Sequence, residues 1–115
     1  MPVVIILARD WTLRVSLRAE LRERGIDALG MDSPDDAGLV LAEGRMPALI
    51  VIEATSEFAN SEPIQSLLKR IPAILIASRT ETVTLPPAAS VFYRPVSITQ
   101  IVDRVLELLA AGRAA

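Results

Sequence analysis

The feature that most constrains the fold is the alternation of short apolar runs with segments in which apolar residues recur at helical spacing. The predicted strands cover residues 3–7, 26–31, 48–53, 74–77 and 90–93, of which 3–7, 49–52 and 74–77 are unbroken apolar runs. Unbroken apolar runs of this length are typical of strands buried on both faces, and their alternation with helices is typical of a parallel sheet. The pattern therefore predicts an α/β chain with one parallel sheet and helices on both of its faces.

Helix start signals precede four segments of the chain. A polar residue that can cap a helix N-terminus lies before each predicted helix: Asp10, Ser33, Ser61 and Ser97. Gln100 follows Ser97 by three residues, so these two residues predict a capping box for the final helix. Gly25 and Gly44 predict the ends of the first two helices.

The segment between the fourth and fifth predicted strands departs from the alternation. Residues 79–89 hold three threonines and the pair Pro86-Pro87, a composition that favours a turn or loop. We expect the fourth helix, which a regular alternation would place here, to be short or missing. Right-handed crossovers then favour a flavodoxin-like three-layer sandwich with a five-stranded sheet of order 2-1-3-4-5.

Composition excludes several classes of function. The 115 residues include no His and no Cys, so imidazole bases, thiolate nucleophiles and most zinc sites are excluded. The net charge of -2 gives no broad positive field for nucleic acid, and no apolar stretch is long enough to span a bilayer. We expect one soluble, cytoplasmic domain over residues 1–115 that is not an enzyme and binds neither nucleic acid nor membrane.

In a sheet of the predicted order, the functional crevice lies where strands one and three separate, at their carboxyl ends. Arg9 and Asp10 follow the first strand, and Glu53 ends the third. We therefore expect these charged residues to lie together in the crevice.

Four segments, residues 3–10, 46–53, 71–78 and 93–97, together resemble the receiver (CheY-like) domain of response regulators in two-component signalling. The resemblance covers nearly the whole chain. It implies partners such as a histidine kinase, a phosphotransfer protein or an output protein. It also implies a phosphorelay site made of an acidic pair that holds Mg²⁺, an Asp phosphoacceptor, a Ser or Thr, and a Lys before a Pro.

Carried over one position at a time, that site departs from the family pattern almost everywhere. The acidic pair falls on Ala8 and Arg9, with Asp10 adjacent, and the phosphoacceptor falls on Glu53. The remaining positions, including the family's aromatic switch, fall on Ala77 with Ser78 beside it, Val91, Arg94 and Pro95. Mg²⁺ prefers several hard oxygen ligands, and Glu53 is one methylene longer than Asp. The resemblance therefore implies a pseudo-receiver with no catalytic residue, bound metal or cofactor.

The leading hypothesis is a receiver-like domain that acts by phosphorylation-independent protein-protein interaction. Glu53 then carries a permanent negative charge held by Arg9 or Arg94, or else is an ordinary solvated carboxylate at a strand end. Two alternatives stay open. In one, Glu53 still accepts phosphate or, with Asp10, binds Mg²⁺. In the other, Arg9 and Arg94 bind a small anion in the crevice.

Three further patterns bear on possible partners. Arg14, Arg18 and Arg22 form a stripe on the first helix, which is either a solvated face stabilised by Glu20 and Glu23 or a surface for an acidic partner. The acidic residues Asp32, Asp35 and Asp36 suit helix capping better than a cation site. Surplus apolar residues of the final helix, such as Leu108, suggest a homodimer face.

Overall fold

The computed structural model describes residues 2–80 and 90–114. Its strands are β1 (Val3–Leu7), β2 (Asp27–Met31), β3 (Leu49–Glu53), β4 (Ala73–Ala77) and β5 (Ser90–Tyr93). They form one sheet of order β2-β1-β3-β4-β5, in which every neighbouring pair is parallel. The predicted fold class and strand order are confirmed, and the strand bounds differ from the prediction by one residue at most.

The helices are α1 (Trp11–Glu23), α2 (Pro34–Ala42), α3 (Ser56–Ala59), α4 (Glu62–Leu68) and α5 (Ile98–Ala114). The sequence did not predict α3, because a single turn is too short to show a helical period. Thr55 caps this turn by accepting the Phe58 N–H at 3.2 Å. The helix predicted to be short or missing falls on residues 81–89, outside the described residues.

The sheet separates two apolar cores, which explains why its central strands are apolar throughout. On one face, α1 and α5 bury Leu17 and Val105 against alternate residues of the strands. On the other face, α2, α3 and α4 bury residues such as Phe58 and Ile64. Full burial of one such side chain contributes about 1.5–3 kcal/mol to stability.

The predicted caps are confirmed at three of the four helix starts. Asp10 accepts the N–H of Leu13 at 3.2 Å, and Ser33 accepts that of Asp35 at 3.3 Å. Ser97 and Gln100 exchange the hydrogen bonds of a capping box. The prediction for Ser61 is wrong in one respect, because this side chain makes no capping hydrogen bond although α4 starts directly after it.

Gly25 and Gly44 follow α1 and α2 with φ of 77° and 79°, a conformation that L side chains rarely adopt. The predicted helix ends are therefore confirmed. None of the helices in residues 2–80 and 90–114 combines the length and the apolar content that a membrane span requires.

Candidate functional site

The candidate site lies at the carboxyl ends of β1 and β3, the predicted crevice. Leu7 and Ile52 are register partners at the ends of these two strands, so the loop before α1 lies beside Glu53. This loop, residues 8–10, turns the chain from β1 into α1 and directs backbone N–H groups toward the crevice. The crevice therefore combines a carboxylate with the positive end of a helix.

The Glu53 carboxylate is held by three donors. Its Oε1 atom accepts hydrogen bonds from the backbone N–H groups of Arg9 and Asp10, the latter at 2.9 Å. Its Oε2 atom accepts a hydrogen bond from Nη2 of Arg94 at 2.9 Å. Only 15% of the Glu53 side chain is exposed, so these donors replace much of its hydration. The interpretation of Glu53 as an ordinary solvated carboxylate is therefore wrong.

Arg94 joins Glu53 to Asp10 through the two ends of its guanidinium fork. Its Nη1 atom lies 3.1 Å from Oδ2 of Asp10, while Nη2 bonds Glu53. The Arg94 backbone N–H also donates to the Ala77 carbonyl at 2.9 Å. Arg94 is thus fixed at both its backbone and its side chain, and it neutralises part of the charge of the two carboxylates.

Asp10 has two roles, since it caps α1 and also pairs with Arg94. The N–H of Leu13 has the largest effect on the pKa of Asp10 and lowers it; burial opposes this effect, and the guanidinium of Arg94 adds to it, so that the pKa lies below its ordinary value. Asp10 is therefore ionised at neutral pH. We refer to Asp10, Glu53 and Arg94 together as the crevice triad.

Of the two arginines predicted as alternatives for holding Glu53, Arg94 does so with its guanidinium and Arg9 does not. The guanidinium pairs with the carboxylate of Glu57 and lies over the Phe58 ring, 5.8 Å from the ring centroid. Both Glu57 and Phe58 belong to α3, the helix that the sequence did not predict. Arg9 contributes its backbone N–H to the site, while its side chain joins the loop after β1 to α3.

The remaining positions implied by the resemblance lie around the triad without joining it. Ala77 ends β4 and is buried, whereas the Ser78 hydroxyl lies 2.8 Å from that of Thr80. Val91 is half-buried against the core on the side of α2 and α4. No hydroxyl therefore contacts Glu53 among the described residues.

The arginine stripe of α1 lies against the sheet, and its Arg22 also lies within ion-pair distance of Asp27. Arg14 donates to the Ala8 carbonyl at 2.6 Å, and Arg18 and Arg22 both donate to the Ala28 carbonyl at 3.4 Å. In residues 2–80 and 90–114, no ion pair joins these arginines to Glu20 or Glu23. Arg18 and Arg22 are exposed, as a solvated face requires, but the predicted stabilisation by Glu20 and Glu23 is wrong, because the long side chains reach carbonyl oxygens instead.

The acidic residues at α2 are placed as helix-start residues. Asp35 and Asp36 lie in the first turn of α2, where they complement the positive end of the helix. Asp32 precedes the cap and, with Arg9 and Ser33, lines an open groove. Across the described parts of the chain, no three acidic side chains converge to hold a metal ion. Leu108 packs partly against the core of α1 and α5, so its burial accounts for its apolar character.

Comparison with known proteins identifies the fold but not a sequence family. No family model and no curated protein matches the sequence. A response regulator receiver protein of Burkholderia phymatum is 20% identical with a TM-score of 0.75, and the match covers 96% of each chain. A CheY-like receiver domain protein of Methanospirillum hungatei is 12% identical with a TM-score of 0.78, covering 99% and 98% of the two chains.

A third structure, of a response regulator receiver protein from Sinorhizobium medicae, is 14% identical with a TM-score of 0.76 and coverage of 96% and 95%. At such low identity, the similarity establishes architecture and leaves the chemistry to be argued from the site. The chain has the flavodoxin-like fold of response regulator receiver domains.

Proposed function

We propose that this chain is a single receiver-type domain, over residues 1–115, that acts in two-component signalling through phosphorylation-independent binding of a protein partner. One observation carries the proposal: both carboxylates of the crevice triad already have hydrogen-bond partners within the chain. The Glu53 carboxylate, at the position implied for the phosphoacceptor, has both oxygens engaged by donors of the same chain.

Phosphoryl transfer to a carboxylate needs a free oxygen in line with the donor and a cation that neutralises the transferred group. In this site, Oε2 of Glu53 accepts from Arg94, and Oε1 accepts two backbone N–H groups. These contacts support a site that is closed to phosphorylation.

Mg²⁺ binding is opposed by the same contacts. The cation prefers an octahedral set of oxygen ligands and gives up its waters reluctantly. To ligate it, Asp10 and Glu53 must both leave Arg94, which then remains beside the cation as a second positive charge. Arg9 stands at a position where the resemblance implies an acid, and its guanidinium is paired with Glu57. The positions of Arg94 and Arg9 therefore support a domain that signals without a metal or cofactor.

The proposed partner surface is the exposed side of α1. Trp11 and Val15 lie one turn apart on this helix and are 66% and 43% exposed. They stand beside the arginines Arg14, Arg18 and Arg22, each of which has guanidinium N–H groups beyond those that bond the sheet. A surface that combines apolar and basic side chains suits an acidic partner such as a histidine kinase, a phosphotransfer protein or an output protein.

One observation favours a second candidate function. Asp10 and Glu53 lie close enough for a single guanidinium to bridge them, so the two carboxylates face the same part of the crevice. In that case the domain remains a phosphorelay receiver that uses Mg²⁺ or phosphorylation at Glu53.

The test is a backbone amide NMR titration with Mg²⁺ and then with beryllofluoride, a stable analogue of a phosphoryl group. The wild-type protein is expected to show no saturating shift at Arg9, Asp10, Glu53 or Arg94. Saturating shifts at these residues establish the second candidate and refute the proposal.

The matched control restores the residues that the resemblance implies for a phosphorylated site. Its substitutions are Ala8→Asp, Arg9→Asp, Glu53→Asp, Ala77→Thr and Arg94→Lys. If this variant shows saturating shifts and the wild-type protein shows none under the same conditions, the side chains of the wild-type site are the reason that it does not respond to Mg²⁺ and beryllofluoride.

A further inference from the structure

The strand β2 forms one edge of the sheet, with β1 on one side and no strand on the other among the described residues. Unpaired backbone groups at such an edge can template pairing with another chain. In a parallel strand, the N–H and C=O groups of one residue point to the same side, and those of the next residue point to the opposite side. Since the Met31 carbonyl accepts from Ala8 of the β1 side, the groups of Ala28 and Gly30 face the open side.

The arginine row of α1, which we define as Arg14, Arg18 and Arg22, covers this edge. Arg18 Nε and Arg22 Nη2 each donate to the Ala28 carbonyl at 3.4 Å. This carbonyl is the acceptor that an added strand would use. Two guanidinium groups therefore occupy a position that a second strand needs.

Gly30, the other residue whose backbone groups face the open side, is exposed, and the stem of Arg14 passes beside it. A Cβ atom built on Gly30 would lie 2.9 Å from Cγ of Arg14 and 3.7 Å from Cδ of Arg18. Glycine is thus the residue that leaves room for Arg14 to cross the strand and reach the Ala8 carbonyl. At the start of β2, Asp27 lies within ion-pair distance of Arg22 and Arg45, at 3.9 and 4.0 Å. Basic side chains therefore follow β2 along its length.

We propose that the arginine row shields the edge of β2 against pairing with the β2 edge of a second copy of this chain. Two such edges would meet in antiparallel register about a two-fold axis, since the same surface then serves both copies. The approach would bring two arginine rows together, so that like charges repel and the Ala28 carbonyls stay occupied. The row thus keeps copies of the chain apart at this edge.

The experiment compares self-association of the wild-type protein with that of the double variant Arg18→Ala with Arg22→Ala by sedimentation velocity, over about 10–500 µM protein. The matched control is Arg24→Ala with Arg70→Ala, which removes the same charge. The side chains of Arg24 and Arg70 form no hydrogen bond or ion pair within residues 2–80 and 90–114. Circular dichroism and a thermal melt establish that each variant is folded.

The double variant is expected to associate at least about tenfold more tightly than the wild-type protein, while the control behaves as the wild-type protein does. Concentration-dependent amide shifts in the variant should centre on residues 27–31. An unchanged association constant refutes the proposal, as does association whose shifts lie away from β2. If the double variant does not fold, the pair Arg18→Gln with Arg22→Gln, which keeps most of each side-chain stem, undergoes the same measurements and decides the question.

Discussion

Replacing Arg94 with alanine tests whether the crevice triad is a stabilising unit. The substitution removes two charge-assisted contacts, to Glu53 at 2.9 Å and to Asp10 at 3.1 Å. The two contacts differ in environment. In the pair with Asp10, both side chains are more than a third exposed, at 39% and 37%, so solvent screening limits its value to under about 1 kcal/mol. Glu53 is only 15% exposed, and a hydrogen bond to such a charged group contributes about 1.5–3 kcal/mol.

Since Glu53 keeps its two backbone donors after the substitution, we take the lower part of that range. The expected loss in the free energy of unfolding is about 2 kcal/mol, which lowers Tm by roughly 5–10 °C for a domain of this size. The assay is urea denaturation with thermal denaturation as a second measure, both followed by circular dichroism at neutral pH.

The control is Arg45→Ala, which removes a pair between exposed side chains at 4.0 Å and should cost no more than about 0.5 kcal/mol. A double-mutant cycle with Glu53→Gln then isolates the coupling between Glu53 and Arg94. A coupling energy within error of zero, or a loss for Arg94→Ala no larger than that for Arg45→Ala, contradicts the reasoning.

Two further predictions concern stability. Because the pKa of folded Asp10 lies below its ordinary value of 3.8, the stability that this residue contributes is present above that value and is lost as pH falls through the folded pKa. Asp10→Asn should therefore destabilise the protein at pH 7 and have less effect near about pH 2, as measured by urea denaturation across that range; an equal effect at both pH values would contradict the assignment. Gly30→Ala should destabilise by about 1 kcal/mol, since the added Cβ displaces Arg14 from its bond to Ala8. Gly38→Ala should instead stabilise the protein by about 0.5–1 kcal/mol, because Gly38 lies within a helix and the added Cβ meets Pro63 at an ordinary contact distance of 3.5 Å. If Gly30→Ala and Gly38→Ala shift Tm in the same direction, this account is contradicted.

The sheet was predictable because each strand carries its own signal. Val3–Leu7 and Leu49–Glu53 are apolar on both faces, and the polar caps of their following segments mark where the chain turns back. Strand order followed from right-handed crossovers, which do not depend on side-chain detail. The helix α3 gave no such signal, because one turn offers no period and its cap, Thr55, looks like any loop threonine.

The site was predictable in position but only partly in contacts. The strand order places Asp10, Glu53 and Arg94 at one edge of the sheet, and charge then favours pairing. Which arginine serves Glu53 was decided by α3, whose Glu57 takes the Arg9 guanidinium. The acceptors of the arginine row were also beyond prediction, since backbone carbonyls at an edge carry no sequence signature.

The Arg94 contacts also have a consequence for how the chain is made. Arg94 lies 84 residues after Asp10 and 41 after Glu53, so both contacts close long loops. Such contacts form late, because the chain entropy of closure must be met before they stabilise anything. During synthesis Asp10 and Glu53 emerge before Arg94, so neither carboxylate has its guanidinium partner until residue 94 has been made. The crevice triad is therefore the last part of this edge of the sheet to gain all of its contacts.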